Sequence, residues 1–194
     1  KNSKLNGELK PEVNTASVNV VIVTYNSAST IRNCLLSVIN FSSPQTQITI
    51  VDNDSSDNTL NIIHEFSNKI TLIKNQENKG FSAACNQGIK ATNADFLVLL
   101  NPDTIVTNGW MKKLIEKFDD GIGAVGPTTD YTGGMQQAIR YLPNDFEQNT
   151  VTIDAVLNEL EKNNTTSVET KLLIGFCIMI SRQALKTVGL LDEE

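Results

Sequence analysis

Asp103 is the carboxylate in this chain whose surroundings point most directly to chemistry. It closes the stretch Asp95-Phe-Leu-Val-Leu-Leu-Asn-Pro-Asp103, where an apolar run stops abruptly on a polar tripeptide. Apolar runs of this kind read as strands buried on both faces of a parallel sheet, and ligands of open α/β sheets gather beyond the strands' carboxyl ends. Pro102 fixes φ and lacks an amide donor, so the strand ends there. A carboxylate at such a mouth can hold a divalent cation against phosphate oxygens. Two further polar clusters follow apolar runs in the same way: Thr24-Tyr25-Asn26 after 18–23, and Asp52-Asn53-Asp54 after 48–51. Strand ends of one parallel sheet share an edge, so the three clusters are expected to converge on a ligand crevice.

Other chemistries find no support. The chain has no Gly-x-x-x-x-Gly-Lys-Ser/Thr phosphate loop. Gly121-Ile-Gly123-Ala-Val-Gly126 matches Gly-x-Gly-x-x-Gly, but it follows an expected helix and enters a strand, the reverse of the dinucleotide-binding order. A helix stop accounts for it better. His64 is the only histidine and falls on the polar side of an expected helix, which removes His-dependent triads. Cys34, Cys85 and Cys177 are widely spaced among apolar neighbours and read as buried thiols rather than a disulfide framework or zinc site. Without a glycine-rich cradle, a nucleoside diphosphate needs a cation, and Mg²⁺ or Mn²⁺ suits one carboxylate plus phosphate oxygens. Asp52 would then be free to accept from a base N–H or a ribose hydroxyl.

The elements that must position these residues are legible. Residues 1–16 are polar, contain Pro11 and lack periodicity, so they read as a tail or linker. Strands are expected over 18–23, 48–51, 70–73 and the run ending at Asn101, with a short one over 124–126. Helices are expected over 31–39, from a cap at Ser56 or Asp57 through Phe66, and over 81–91 and 110–118. Strand-helix alternation means right-handed crossovers and a mainly parallel sheet. The second part is less regular: a loop over 128–137, an amphipathic helix over 154–162, a polar connector over 163–170, a strongly apolar run over 172–180 read as core, and a helix over 182–188. At 194 residues, 40% apolar and 20% charged, the chain has the composition of an ordinary globular domain. The net charge of −6, with no basic stripe, excludes a nucleic-acid partner. No apolar segment reaches the roughly 18 residues needed to span a bilayer.

With these residues in place, the chain resembles glycosyltransferase family 2, the inverting, sugar-nucleotide-dependent enzymes of the GT-A fold. The likeness covers about 18–194 and is carried by five motifs. They are Val20-Val-Ile-Val-Thr-Tyr-Asn26, Val51-Asp-Asn-Asp-Ser-Ser-Asp-Asn-Thr59, Glu77-Asn-Lys-Gly-Phe-Ser-Ala-Ala-Cys-Asn-Gln-Gly88, Leu99-Leu-Asn-Pro-Asp-Thr104 and Gly175-Phe-Cys-Ile-Met-Ile-Ser-Arg182. The Asn-Pro-Asp form is most similar to the rhamnosyltransferase and O-antigen branch.

The resemblance implies a Rossmann-like, mainly parallel sheet flanked by helices, with a nucleotide-sugar half over about 17–127 and a less regular acceptor-side half over about 128–194. It implies that Thr24, Tyr25 and Asn26 wrap the base, that Asp52 binds it, and that Asn78, Gly80 and Asn86 shape the nucleotide pocket. Asn101 stands where the family's Asp-x-Asp motif has a carboxylate and offers an amide instead. Asp103 matches the last acid of that motif, the ligand for Mn²⁺ or Mg²⁺. Gly175, near the acceptor, would let the backbone approach the donor sugar.

The family's general base lies in a Glu-Asp motif several residues beyond the segment matched by Gly189-Leu-Leu-Asp-Glu-Glu194. The base is therefore expected beyond Glu194, with Asp192 a weaker candidate and the acceptor half cut short. The implied activity is metal-dependent, inverting transfer from a nucleotide-diphosphate sugar to a hydroxyl of a glycan, lipid-linked or protein acceptor, in cell-surface polysaccharide or glycoconjugate synthesis. It is expected in the cytoplasm or at the inner face of its membrane, with peripheral membrane association among the readings. Two alternatives stay open: a nucleotide-sugar-binding fragment without turnover, and a sugar-phosphate nucleotidyltransferase, whose glycine-rich loop is missing after the first strand.

Overall fold

Valine- and isoleucine-rich runs form strands here because helices cover both faces of the sheet. The computed structural model describes residues 16–130, 134–142, 153–162 and 167–194. In it, β1 (Val18–Thr24), β2 (Gln47–Asp52), β3 (Thr71–Lys74) and β4 (Phe96–Leu100) alternate with α1 (Ile31–Phe41), α2 (Thr59–His64) and α3 (Phe81–Lys90). Then come α4 (Trp110–Ile115), β5 (Ala124–Val125), α5 (Ile153–Lys162), β6 (Cys177–Ser181) and α6 (Arg182–Val188). The sheet order is β3-β2-β1-β4-β6-β5. Its first four strands are parallel, while β6 runs antiparallel to both β4 and β5. The expected parallel α/β sheet is thus present, with an antiparallel corner from the second part of the chain.

Alternate strand residues serve opposite faces. Val20, Ile22, Ile50, Val98 and Leu100 pack with α1, α2 and α4 in one large cluster. Val21, Leu97 and Leu99 meet Cys85 and Ile89 of α3 and Leu185 of α6 in a smaller one. α3 lies very close to the sheet: a Cβ on Gly88 would sit 2.3 Å from Val21 Cγ1, so only glycine allows this approach. The far end of α3 is held by Arg182, whose guanidinium donates to the carbonyls of Ile89, Thr92 and Ala94. A cation suits that helix end, where unpaired carbonyls and the helix dipole concentrate negative charge.

Several boundaries differ from the sequence reading. The apolar run over 172–180 supplies a strand only from Cys177, because its partner β4 ends at Leu100, the residue opposite Cys177. Leu172 is left 73% exposed, whereas Cys177 and Met179 are core. α4 ends at Ile115 and is continued by tighter turns in which the Lys117 and Phe118 amides donate to Leu114 and Ile115. α2 starts at Thr59, with Asn58 rather than Ser56 or Asp57 at the cap position, although the Asp57 carboxylate accepts the Thr59 amide (2.9 Å). Within the expected 128–137 loop, Thr129 bridges Gln137. The tail over 1–15 and residues 131–133 and 163–166 lie outside the described residues.

Gly121 takes φ +104 in the turn after α4, the helix stop expected of it. His64 is exposed at the end of α2. All three cysteines are free and buried, and burial pushes each thiol up to about 12, which makes them inert hydrophobes. Among the described residues, no helix is long and apolar enough to cross a membrane.

Candidate functional site

Strand register decides which loops meet. Thr24 stands opposite Asp52, Asp52 opposite Lys74, and Ile22 opposite Leu100. The exits of β3, β2, β1 and β4 therefore lie side by side on one edge of the sheet. Asn101-Pro102-Asp103 begins one step beyond Leu100. The three polar clusters singled out in the sequence reach that same edge.

The first two clusters are sewn together. Asp52 is wholly buried (0% exposed). Its Oδ1 accepts from Thr24 Oγ1 (2.9 Å) and Ser55 Oγ (2.6 Å), and its Oδ2 accepts from the Ser55 amide (3.0 Å). Asn26 Oδ1 in turn accepts the amides of Ser56 (2.9 Å) and Asp57 (3.3 Å), while the Asn26 amide donates to Ser55 Oγ (2.9 Å). Asp57 binds back to the Ala28 amide (3.1 Å) and to the Thr59 hydroxyl and amide. The Thr59 hydroxyl bond, with the backbone bonds behind it, holds the Asp57 carboxyl below its usual value. Asn26 (φ +51) and Asp54 (φ +68) occupy the left-handed region without being glycine, a strain that this mesh of bonds sustains. Between the two loops Tyr25 is 53% exposed.

A network of amides ties in the loop after β3. Asn53 donates to Asn78 Oδ1 (2.8 Å) and the Gly80 carbonyl (3.1 Å), and accepts from Asn75 Nδ2 (2.9 Å) and the Lys79 amide (3.1 Å). Both donors and both acceptor positions of this buried side chain are filled. Asn75 and Gln87 exchange a pair of amide bonds (2.8 and 2.9 Å), which fastens the loop to α3. Gly80 opens α3 at φ +83, a conformation that side chains rarely adopt. Asn86, on the next turn of the helix, bonds to none of these groups. Its amide joins Leu191 and Glu193.

The exit of β4 is built differently. The Asn101 amide donates to the Phe176 carbonyl (2.8 Å), and the Asn101 carbonyl accepts the Thr104 amide (3.2 Å) and the Cys34 thiol (3.6 Å). The turn is thus fixed through its backbone groups, with the Thr104 hydroxyl adding a bond to the Phe176 carbonyl (3.4 Å). Asp103 is exposed, and its carboxylate accepts no hydrogen bond from the described residues. Its negative charge is felt by Cys34, where it adds to the upward push from burial. Among the described residues, no three His, Cys, Asp or Glu side chains come together as a metal cage. One free carboxylate with a neighbouring amide fits Mg²⁺ or Mn²⁺ only if a phosphate ligand and water complete the shell, which is the habit of Mg²⁺.

A family model described as glycosyl transferase family 2 matches residues 19–189, nearly the whole chain. The chain belongs to glycosyl transferase family 2. Poly-beta-1,6-N-acetyl-D-glucosamine synthase of Staphylococcus aureus (strain COL) is 33% identical over 123 residues, 60% of this chain and 30% of that protein. The enzyme of the same name from Staphylococcus epidermidis is 25% identical over 183 residues, 91% of this chain and 42% of that protein. The chain therefore spans less than half the length of these relatives. Among solved structures, the mannosyltransferase PcManGT from Pyrobaculum calidifontis, in complex with GDP-Man and Mn²⁺, superposes with a TM-score of 0.66 at 19% identity, over 91% of this chain and 48% of that one. At that identity the likeness establishes the shared fold.

Within this family 2 domain the remaining residues named from the sequence fall in two places. Asn78 and Gly80, in the loop after β3, lie on the same sheet edge as Asp52. Asn101 and Asp103 follow β4 on the same edge. Gly175 is exposed just before β6, and a Cβ there would meet nothing within 4 Å, so the fold itself does not require glycine at this position. Asp192 is exposed and accepts the Glu194 amide (3.1 Å). Residues with structural weight that received no role were Asn53, Asn75 and Gln87. Asn53 lies in the polar cluster after β2, but nothing in amide spacing announces a network that joins two loops and α3.

Proposed function

We propose that this domain binds a nucleotide-diphosphate sugar along the edge formed by the β1–β4 exits. It would pass the sugar, with inversion, to a hydroxyl acceptor in cell-surface polysaccharide or glycoconjugate synthesis. The observation that carries this reading is the free, exposed Asp103 carboxylate on the same edge as a rigid, bonded set of loops. In this account Tyr25 offers an exposed ring to the base, and Asn78, whose Oδ1 is already taken by Asn53 and Gly80, offers its amide N–H groups. Asp52 keeps the two loops in register and has acceptor capacity left only on Oδ2 for a base or ribose donor. Asn101 and Asp103 face the diphosphate. A Mn²⁺ or Mg²⁺ ion held at Asp103 would supply charge neutralisation for the departing diphosphate. Asp192 is assigned no proton transfer; the base is proposed to lie outside the residues described. The acceptor is a glycan, lipid-linked or protein hydroxyl.

An N-acetylglucosamine donor is the first to try, because the relatives named above polymerise that sugar. A thermal-shift screen across UDP-, GDP-, dTDP- and CMP-sugars with Mn²⁺ tests the reading, since a ligand that binds the native state raises its stability. One nucleotide class should raise Tm and lose that effect when the metal is chelated. A flat response across the panel would overturn the proposal.

A further inference from the structure

Asn86 was expected at the nucleotide pocket, yet its carboxamide is occupied elsewhere. Nδ2 donates to the Leu191 carbonyl (2.8 Å) and to Glu193 Oε1 (2.7 Å), and Oδ1 accepts the Leu191 amide (3.0 Å). The residue is 1% exposed. Both amide donors are used, and a single acceptor lone pair remains. We propose that Asn86 is a positioning residue: it pins the acidic strap 191–193 to α3 and takes no part in gripping the nucleotide. The consequence for sugar transfer rests on the function proposed above.

Three further observations support the assignment. Leu191 packs against the cluster of Val21, Cys85, Leu97 and Leu99, so the strap is anchored by apolar burial as well as by the amide. α3 cannot slide beneath it, because Gly88 sits directly against Val21 of β1. Gln87, the neighbour of Asn86, bonds Asn75 in the donor-side network. Gly80, at the start of the same helix, is six residues away, about 9 Å of helix rise. One rigid helix therefore carries the donor-side loop at its amino end and the strap at its middle. Through Asn86, the exposed acids Asp192 and Glu193 are tied to the helix that Gly80 opens instead of trailing from α6. An asparagine suits this task and an aspartate does not: a carboxylate could take the Leu191 amide but would face the Leu191 carbonyl and Glu193 with oxygen.

The test uses the full chain, Asn86→Ala and Leu191→Pro, the second of which removes the Leu191 amide that donates to Asn86 Oδ1 should the first fold poorly. Amide exchange at Leu191 and Glu193, calorimetric affinity for UDP-N-acetylglucosamine with Mn²⁺, and sugar-transfer kinetics are read together. We expect Asn86→Ala to lose protection at Leu191, to keep donor Kd and KM within about twofold, and to lower kcat about 10–100-fold, the scale of misplacing a group by an ångström. Leu191→Pro should match it in kcat. Donor affinity weakened about tenfold or more with Leu191 still protected would overturn the inference, because Asn86 would then act on the nucleotide. A freed strap with unchanged kcat would overturn it as well. If the wild type binds no nucleotide sugar, the glycosyltransfer reading fails, whereas exchange at Leu191 still decides whether Asn86 holds the strap.

Discussion

Two aspartates stand on the same sheet edge in opposite conditions. Asp52, after β2, is fully buried and accepts three hydrogen bonds, one from Thr24 at the β1 exit and two from Ser55 on its own loop. Asp103, after β4, is exposed and accepts none from the described residues. The contrast separates architecture from reactivity. A buried carboxylate that accepts three hydrogen bonds fixes loops, and removing it strands the donors that surrounded it. An exposed carboxylate with empty lone pairs contributes nothing to the fold and is available to an ion. The surrounding backbone fits the division: the Asp52 loops tolerate two left-handed non-glycine residues, whereas the Asp103 turn is held by ordinary backbone bonds.

The largest effect should come from Asp52. Asp52→Ala leaves the Thr24 hydroxyl and the Ser55 amide without their acceptor, and a loss of about 2–4 kcal/mol in urea unfolding is expected. A stability change below about 0.5 kcal/mol, the range of ordinary surface substitutions, would erase the distinction between the two carboxylates. Tyr25 sharpens the comparison from the ligand's side. Tyr25→Ala should weaken donor binding by about tenfold, the value of one base-stacking contact, and leave Tm unchanged.

Asp95, which opens β4 at the opposite end of the strand, gives the smallest effect. The Ser17 hydroxyl, with the Ser17 amide, holds its carboxyl below the usual value. A carboxyl whose folded pKa lies below its unfolded one adds stability that is fully present above the unfolded pKa and is lost as pH falls through the folded one. Thermal unfolding from about pH 6 down to about pH 3 should therefore show wild type and Asp95→Asn converging in acid. A constant gap would mean that the hydrogen bonds, not the charge, carry the difference.

Much of this fold is legible in the residues because its strands are buried on both faces and announce themselves as unbroken apolar runs. β1, β2 and β4 are cases in point, and their polar exits fall where the runs stop. β3 is short, and its side chains are only partly buried or exposed, yet its helix-bounded position still marks it. The antiparallel placement of β6 is less visible, since an apolar run says nothing of direction and Gly175 gives no hint that pairing begins only at Cys177. The site divides similarly. Carboxylates and glycines after strands stand out by type and position. The Asn53 network and the Asn86 clasp do not, because a side-chain amide gains its meaning from partners 12 to 107 residues away.

Calorimetry of a nucleotide-diphosphate sugar against wild type and Asp103→Ala, each with and without Mn²⁺, shows whether Asp103 recruits the cation. Mn²⁺ should tighten binding to the wild type by about 10–100-fold, about 1.4–2.7 kcal/mol. Asp103→Ala with Mn²⁺ should bind like the wild type without it, with its unfolding temperature unchanged. If Asp103→Ala keeps the full metal-dependent gain, or if Mn²⁺ gives the wild type none, then Asp103 is not the group that draws a cation to this edge.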